Sequence, residues 1–187
     1  MITLKQPASA DQTIQKSRFI AQAKSCETER EVSLFLRQMA SQHPTAHHLA
    51  YAYRIKTMDG VIPRFSDAGE PSGTAGKPIL QILDGQQYIN VCVGVIRYYG
   101  GINLGTGGLV KAYGGTAKLA LDHAGIMPFI EMQEMKITIS YKRVDELTRE
   151  LAKLKGTVLN KDFDDAAHFI VKLPAQSAQQ FLQRFQT

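Results

Sequence analysis

The sequence predicts an α+β protein of two domains. Three observations carry this. Apolar residues recur at a spacing of two in some stretches and at three and four in others, the periods of strands and helices. The pattern resets near residue 130, and after the reset the elements run in the order βαββα. A chain of 187 residues is long enough for one sizeable domain or two small ones, and the reset sets the expected domains at 1–128 and 129–187.

Residues 11–25 alternate imperfectly, with Ile14, Phe19, Ile20 and Ala23, and predict one strand or a short hairpin with Lys16 and Arg18 at its exposed turn or edge. From Glu27 to Gln42, Val32, Phe35, Leu36 and Met39 share one helix face. Thr28 and Glu31 suit a capping box, and Glu27, Glu29 and Glu31 favour the positive end of the helix dipole. Pro44 ends that helix. Residues 48–57 predict a strand with Tyr51, Tyr53 and Ile55 on one face, and Asp59-Gly60 a turn. The stretch Arg64–Pro78 is then expected to be a long polar loop, of the length that is often functional. A helix follows with Thr74 as its N-cap, Ile79, Leu80, Ile82 and Leu83 to bury, and Asp84-Gly85 at its end.

Residues 89–99 are rich in β-branched and aromatic residues and predict a buried strand. Leu109, Val110, Tyr113, Ala117 and Leu121 give a helix over 106–124, which Gly125 stops. Gly114 and Gly115 lie inside it at about 1 kcal/mol each against alanine, so a close approach to another backbone is expected there, with a kink as the alternative. Beyond a short link at Met127–Gln133, which suggests that the two parts pack together, the second domain reads as strand 136–141, helix 144–154, strands 158–164 and 168–173, and helix 175–185. That order is close to a ferredoxin-like half-sandwich, with Thr187 reached before a fourth strand.

Composition narrows the classes. No apolar run approaches the ~20 residues of a membrane helix, and the N-terminus lacks the basic-then-apolar pattern of a signal peptide. A cytoplasmic protein without membrane contact is expected. Cys26 and Cys92 belong to no CxxC pair, which argues against a disulfide framework or a zinc site. Net charge is +5. Residues 1–130 hold 13 Lys+Arg against 9 Asp+Glu, and residues 131–187 hold 9 against 8. A modestly basic N-terminal part suits an anionic partner such as RNA or phosphate.

The chemistry-bearing residues cluster in two stretches. Between the buried strand and the long helix lie Gly100, Gly101, Gly105, Thr106, Gly107 and Gly108, flanked by Arg97 and Lys111. A strand feeding a glycine-rich turn and a helix start is where bare N–H groups can face an anion. Neither nucleotide motif is present: a dinucleotide fingerprint needs glycine where Val110 stands, and a P-loop ending at Gly76-Lys77 needs glycine and Ser or Thr where Pro71 and Pro78 stand. What remains is a generic anion site, or a tight turn with glycines for close packing. In the polar loop, Asp67 and Glu70 suit an acid–base pair or metal ligands, or a loop held by its own hydrogen bonds. Ser66, Ser72 and Thr74 would be nucleophiles only if a base reached them. Lys77 is placed to join the anion site. His43, His47 and His48 read as HxxxHH, but Pro44 breaks a continuous helix and no third ligand is near, so no metal is expected. Tyr98-Tyr99 suits base stacking or, at the end of a core strand, packing.

Four blocks, in order, resemble the signature of the YigZ/Impact family: Lys16-Ser17-Arg18-Phe19-Ile20; His43-Pro44 with His48; Phe65 to Pro78; and Arg97 to Tyr113. The resemblance covers most of the chain to residue 125, and the C-terminal part is similar to the second domain of the bacterial members. It implies an N-terminal domain with the fold of the second domain of small-subunit ribosomal protein five. It implies a C-terminal ferredoxin-like domain similar to the last domain of elongation factor G, which carries the same two folds side by side. Eukaryotic Impact proteins regulate translation through protein partners, whereas the bacterial branch has no settled activity and transfers no catalytic residue. The expectation is a non-enzymatic regulator of translation that binds RNA, the ribosome or a translation-related protein, without a cofactor. Arg97, Lys111 and Lys77 would meet phosphate, and Gly105–Gly108 would let the backbone approach it. The alternative is an enzyme on a small phosphorylated or peptide-like substrate, with Asp67 and Glu70 opposite the glycine turn. A third is a protein-binding module, for which a large exposed apolar patch would speak.

Overall fold

The structure, a computed structural model, describes residues 1–185. Gln186 and Thr187, which the sequence pattern assigns to the second domain, lie outside the described residues. The chain divides into two compact units, Met1–Phe129 and a second beginning at Ile130.

The first unit is built on a five-stranded antiparallel sheet in the order β2-β3-β6-β4-β5, with β2 at Ala8–Ile14, β3 at Ser17–Ser25, β4 at His48–Thr57, β5 at Gly60–Ser66 and β6 at Val91–Tyr98. Of the two readings of this stretch, one strand or a hairpin, β2 and β3 form the hairpin, with Gln15 and Lys16 both at positive φ in its two-residue turn. β6 lies in the middle and is buried on both faces. Val91, Val93 and Val95 point to one side, where α2 (Gly76–Gly85) and α3 (Gly105–Ala124) supply Ile79, Leu83, Leu109, Ala112, Tyr113, Ala117 and Leu121. Cys92 and Ile96 point to the other, where α1 (Glu29–Gln42) supplies Val32, Phe35 and Met39. Gly94 faces α1, and a Cβ there would lie 2.6 Å from the Met39 sulfur. Period two in the strand and two helical layers thus share one central strand.

The expected pair caps α1 in a shifted form: Glu31 N–H donates to Thr28 Oγ1 at 3.2 Å, and the Glu31 carboxylate accepts at 2.9 Å from the N–H of Glu27, one residue before the N-cap. Three expectations change. The polar loop is shorter than expected because Gly60–Ser66 is the edge strand β5, paired with β4 from Thr57↔Gly60 to Tyr51↔Ser66. Pro63 and Arg64 hid it, since both suit an edge that is half exposed and does not alternate. A small ladder of β1 (Ile2–Leu4) with β7 (Ile126–Pro128) is a further addition that periodicity does not show. Gly114 and Gly115 meet no other backbone: a Cβ would find Pro78 Cβ at 3.6 Å from the first and Gln12 Nε2 at 3.8 Å from the second.

The second unit has β8 (Met132–Ile139), α4 (Val144–Lys153), β9 (Thr157–Phe163), β10 (Ala167–Pro174) and α5 (Ala175–Phe185), the expected βαββα. Its antiparallel sheet runs β8-β10-β9, and one face buries Ile137, Ile139, Phe169, Val171 and Leu173 against Leu147, Leu151, Phe181 and Phe185.

Candidate functional site

The chemistry-bearing residues of the first unit gather where the C-terminal end of β6 meets the hairpin turn, the loop 67–75 and the first half of α3. Glu70 is at the centre. Its side chain is 4% exposed, and Oε1 accepts from Arg97 Nη1 at 2.7 Å and from the Tyr113 hydroxyl at 2.7 Å. His48 Nε2 stands 3.9 Å from the same oxygen, while its Nδ1 lies 2.8 Å from the Ala68 carbonyl. The Arg97 guanidinium sits between the rings of Phe19 and Tyr99, 5.6 and 5.2 Å from their centroids. Nη2 donates to Ser17 Oγ at 3.4 Å, and Nε has no partner among the described residues. Burial, and after it the bond to Glu70, push the Tyr113 phenol well above its ordinary range. Tyr113 is therefore a neutral donor, and the ion pair is held inside a wall of aromatic rings. The guanidinium expected to meet an outside anion is instead committed to Glu70.

Asp67 has a different fate. Oδ2 accepts from Gly73 N–H at 2.8 Å, and Oδ1 from Ala75 and Gly76 N–H at 3.0 and 2.8 Å. Burial pushes its carboxyl up, but the amides of Gly73, Ala75, Gly76 and Lys77 outweigh burial and hold it below the usual range. Asp67 thus takes the capping role expected of Thr74. The helix N-cap is Ala75, and Thr74 Oγ1 turns back to donate to the Pro71 carbonyl at 2.6 Å. Both oxygens of Asp67 accept backbone N–H groups, and Glu70 Oε1 is paired with Arg97 and Tyr113. Asp67 thus bonds within its own loop and helix start, whereas Glu70 bonds outside the loop, to β6 and α3.

The glycine turn divides likewise. Gly100 packs: its N–H donates to Ser17 Oγ at 3.2 Å, and a Cβ there would run into the Lys16 carbonyl. Gly101 and Gly105 take φ of +84° and +69°, where side chains are strained. Beyond them, no side chain among the described residues caps α3. The first-turn amides of Gly105, Thr106 and Gly107 find no protein acceptor among the described residues. A Cβ on Gly107 would have nothing within 4 Å, and one on Gly108 would meet only the Leu104 side chain. Lys16, Lys77 and Lys111 are exposed and carry no ion-pair partner among the described residues. Lys111 lines a groove of about 460 Å³ between α3 and the hairpin, with Gln12, Ile14, Gln15 and Gly115. Tyr99 is 40% exposed above Arg97, and its hydroxyl donates to Asn103 Oδ1 at 3.1 Å. Tyr98 packs instead, its hydroxyl 2.8 Å from His43 Nδ1. His47 Nδ1 accepts from Tyr99 N–H at 3.2 Å, so the three histidines serve three separate partners.

Sequence reasoning did not assign Ser17, His48 or Tyr113 to this node. The signal for Tyr113 was present: a hydroxyl on an apolar helix face needs a buried partner. Ser17 gave none, because its partners lie 80 or more residues away.

Residues 15–121 match the family model of the Impact N-terminal domain, and residues 137–187 match a domain of unknown function, DUF1949. The chain belongs to the IMPACT family. It is 35% identical over 176 residues to the IMPACT family member YigZ of Escherichia coli (strain K12), covering 94% of this chain and 86% of that protein. It is 44% identical over 161 residues to an IMPACT family member of Thermus thermophilus, covering 86% of each. A solved structure described as that of a hypothetical protein shares 33% identity at a TM-score of 0.74, covering 98% of this chain and 89% of that one. The node and the open helix start both lie inside the matched Impact N-terminal domain. No helix among the described residues is long and apolar enough to cross a membrane.

Proposed function

We propose that this IMPACT family chain is a non-enzymatic regulator of translation that binds RNA or the ribosome through the open start of α3. The observation that carries the reading is the uncapped, glycine-lined first turn of a 20-residue helix, with Lys16 and Lys111, unpaired among the described residues, on the elements beside it. Bare amides and two free ammonium groups suit a phosphate backbone. Exposed Tyr99 adds an aromatic face on which a base can stack. Lys77, exposed at the start of α2, contributes further positive charge. Arg97 supports this face from beneath, as the partner of Glu70, and does not touch the RNA.

Binding of a labelled single-stranded RNA and of purified ribosomes tests the proposal. Affinity falls steeply with salt, and Lys16→Ala and Lys111→Ala each weaken binding to every RNA sequence and lower the salt slope by about one. Absence of binding at low salt, or affinity indifferent to salt and to both lysines, overturns it.

A further inference from the structure

The groove between α3 and the β2–β3 hairpin, about 460 Å³, falls within the range of about 300–1,000 Å³ found for small-molecule sites. Packing leaves two of its features unexplained. The first is Gly115. It sits well inside α3, where glycine is a poor helix former. Yet it is exposed, and a Cβ there would meet only Gln12 Nε2, at 3.8 Å, an ordinary contact. The fold therefore does not demand a glycine at this position. A longer side chain would instead stand in the groove that Gly115 lines.

The second feature is the amide of Gln12, in the facing wall. Its Nε2 donates to Thr116 Oγ1, and the Thr116 hydroxyl donates in turn to the Ala112 carbonyl at 2.6 Å. Thr116 is fully buried and its one proton is spent, so toward Gln12 it can only accept. That settles which end of the amide turns to the helix. Oε1 is left as an oriented acceptor with no partner among the described residues. Gln15, at the hairpin turn, is exposed, and nothing among the described residues holds its amide. Ile14, Leu104 and Leu119 give the groove apolar walls, and Lys111 brings it an ammonium group unpaired among the described residues.

We propose that this groove holds one unstacked base of the RNA whose phosphates meet the start of α3, lying over Gly115 and donating from an exocyclic amine to Gln12 Oε1. The inference rests on the phosphate reading of that helix start and deepens it. Gly105 and Gly115 are about 15 Å apart along the helix axis, which a strand of a few nucleotides spans. A base brings a flat apolar face for the walls and donors on its edge. A peptide helix needs apolar anchors repeating along its groove, and here Gln12, Gln15 and Lys111 interrupt them. The fixed oxygen favours adenine or cytosine, whose amines project from the ring. It disfavours uracil, whose ring N–H lies between two carbonyl oxygens.

Titration of the full chain at low salt with oligo(C), oligo(U) and an abasic oligomer of equal length tests this, with circular dichroism to check that each variant is folded. Cytosine and uracil are alike in size and differ chiefly in the amine. Wild type binds oligo(C) about fivefold more tightly than oligo(U) and about tenfold more tightly than the abasic oligomer. Gln12→Ala brings oligo(C) down to the level of oligo(U). Gly115→Leu fills the groove and brings oligo(C) down to the abasic level. Neither variant changes the binding of the abasic oligomer, whereas Lys111→Ala weakens all three. Failure of the phosphate reading shows separately: no oligomer binds, the abasic one included, and the groove proposal falls with it. The groove alone is overturned when wild type holds base-bearing and abasic oligomers equally, when the preference for oligo(C) survives Gln12→Ala, or when oligo(C) affinity survives Gly115→Leu. An apolar peptide segment is then left as the occupant of the groove.

Discussion

Two loops of the first unit each deliver the chain into a helix, and they treat the helix start in opposite ways. The loop 67–75 folds its own carboxylate onto α2: Asp67 accepts from the amides of Gly73, Ala75 and Gly76. The loop 99–104 leads into α3 and brings no side chain to cap it. An α-helix start carries orphan amides and partial positive charge in either case. In α2 an internal anion meets that need. In α3 the first-turn amides have no acceptor among the described residues, and under the proposed function a phosphate beside the exposed lysines would take that place. The two loops are also tied together, since Glu70 of the first bonds Arg97 on the strand that enters the second. One loop is a strut, and the other is the surface that the strut holds in place.

The largest way to break this comparison is to cut the tie. Glu70→Ala leaves the Arg97 guanidinium buried without its charge partner and removes the acceptor of Tyr113. Stability falls by about 3–5 kcal/mol, measured as a lower urea midpoint with circular dichroism. The α3 start keeps its lysines, so RNA affinity of the remaining folded fraction changes far less than with Lys111→Ala. A Glu70→Ala chain as stable as wild type would remove the strut from the account.

Next in size is Asp67→Ala, which strips three amides of a charged acceptor and costs about 2–4 kcal/mol. This residue also makes a pH prediction. Its folded pKa lies below the unfolded value near 3.9. The unfolded carboxyl therefore binds its proton first as pH falls. The contribution of Asp67 is fully present above the unfolded pKa and is lost as pH drops through the folded one. Wild type loses stability between about pH 5 and the folded pKa, and Asp67→Ala loses less over that interval. Parallel acid limbs in urea titrations of the two chains would show that Asp67 does not cap α2.

How much of this was legible in the sequence follows from which interactions are local. The capping pair at Thr28 and Glu31, the hairpin turn, the βαββα order and the buried strand at 91–98 depend on neighbours within a few residues, and periodicity exposes them. The edge strand β5 did not show, because Pro63 and Arg64 fit a half-exposed edge and break alternation. The length and polarity of the stretch 64–78 single it out, but composition cannot divide its two carboxylates. Asp67 finds its amides six to nine residues on, whereas Glu70 finds Arg97 and Tyr113 at separations of 27 and 43. Arg97 looks like a free cation for the same reason: its partner is distant in the chain, and only the fold shows that the charge is already matched.

The smallest expected effect separates packing from contact at the open start. Gly107 sits in the first turn of α3 with nothing within 4 Å of the position a Cβ would take, and its φ is not positive. Gly107→Ala therefore raises stability by up to about 1 kcal/mol, because alanine loses less backbone freedom on entering a helix, and the melting temperature rises by about 2–4 °C. The same methyl group stands over the first-turn amides and keeps a phosphate from close approach, so RNA affinity falls while stability rises. A glycine kept only for the turn would give the gain in stability with unchanged binding. Opposite signs in one variant, read by thermal melting and by RNA titration, assign Gly107 to the contact, and the contrast with Asp67, where stability alone moves, gives each helix start its own signature.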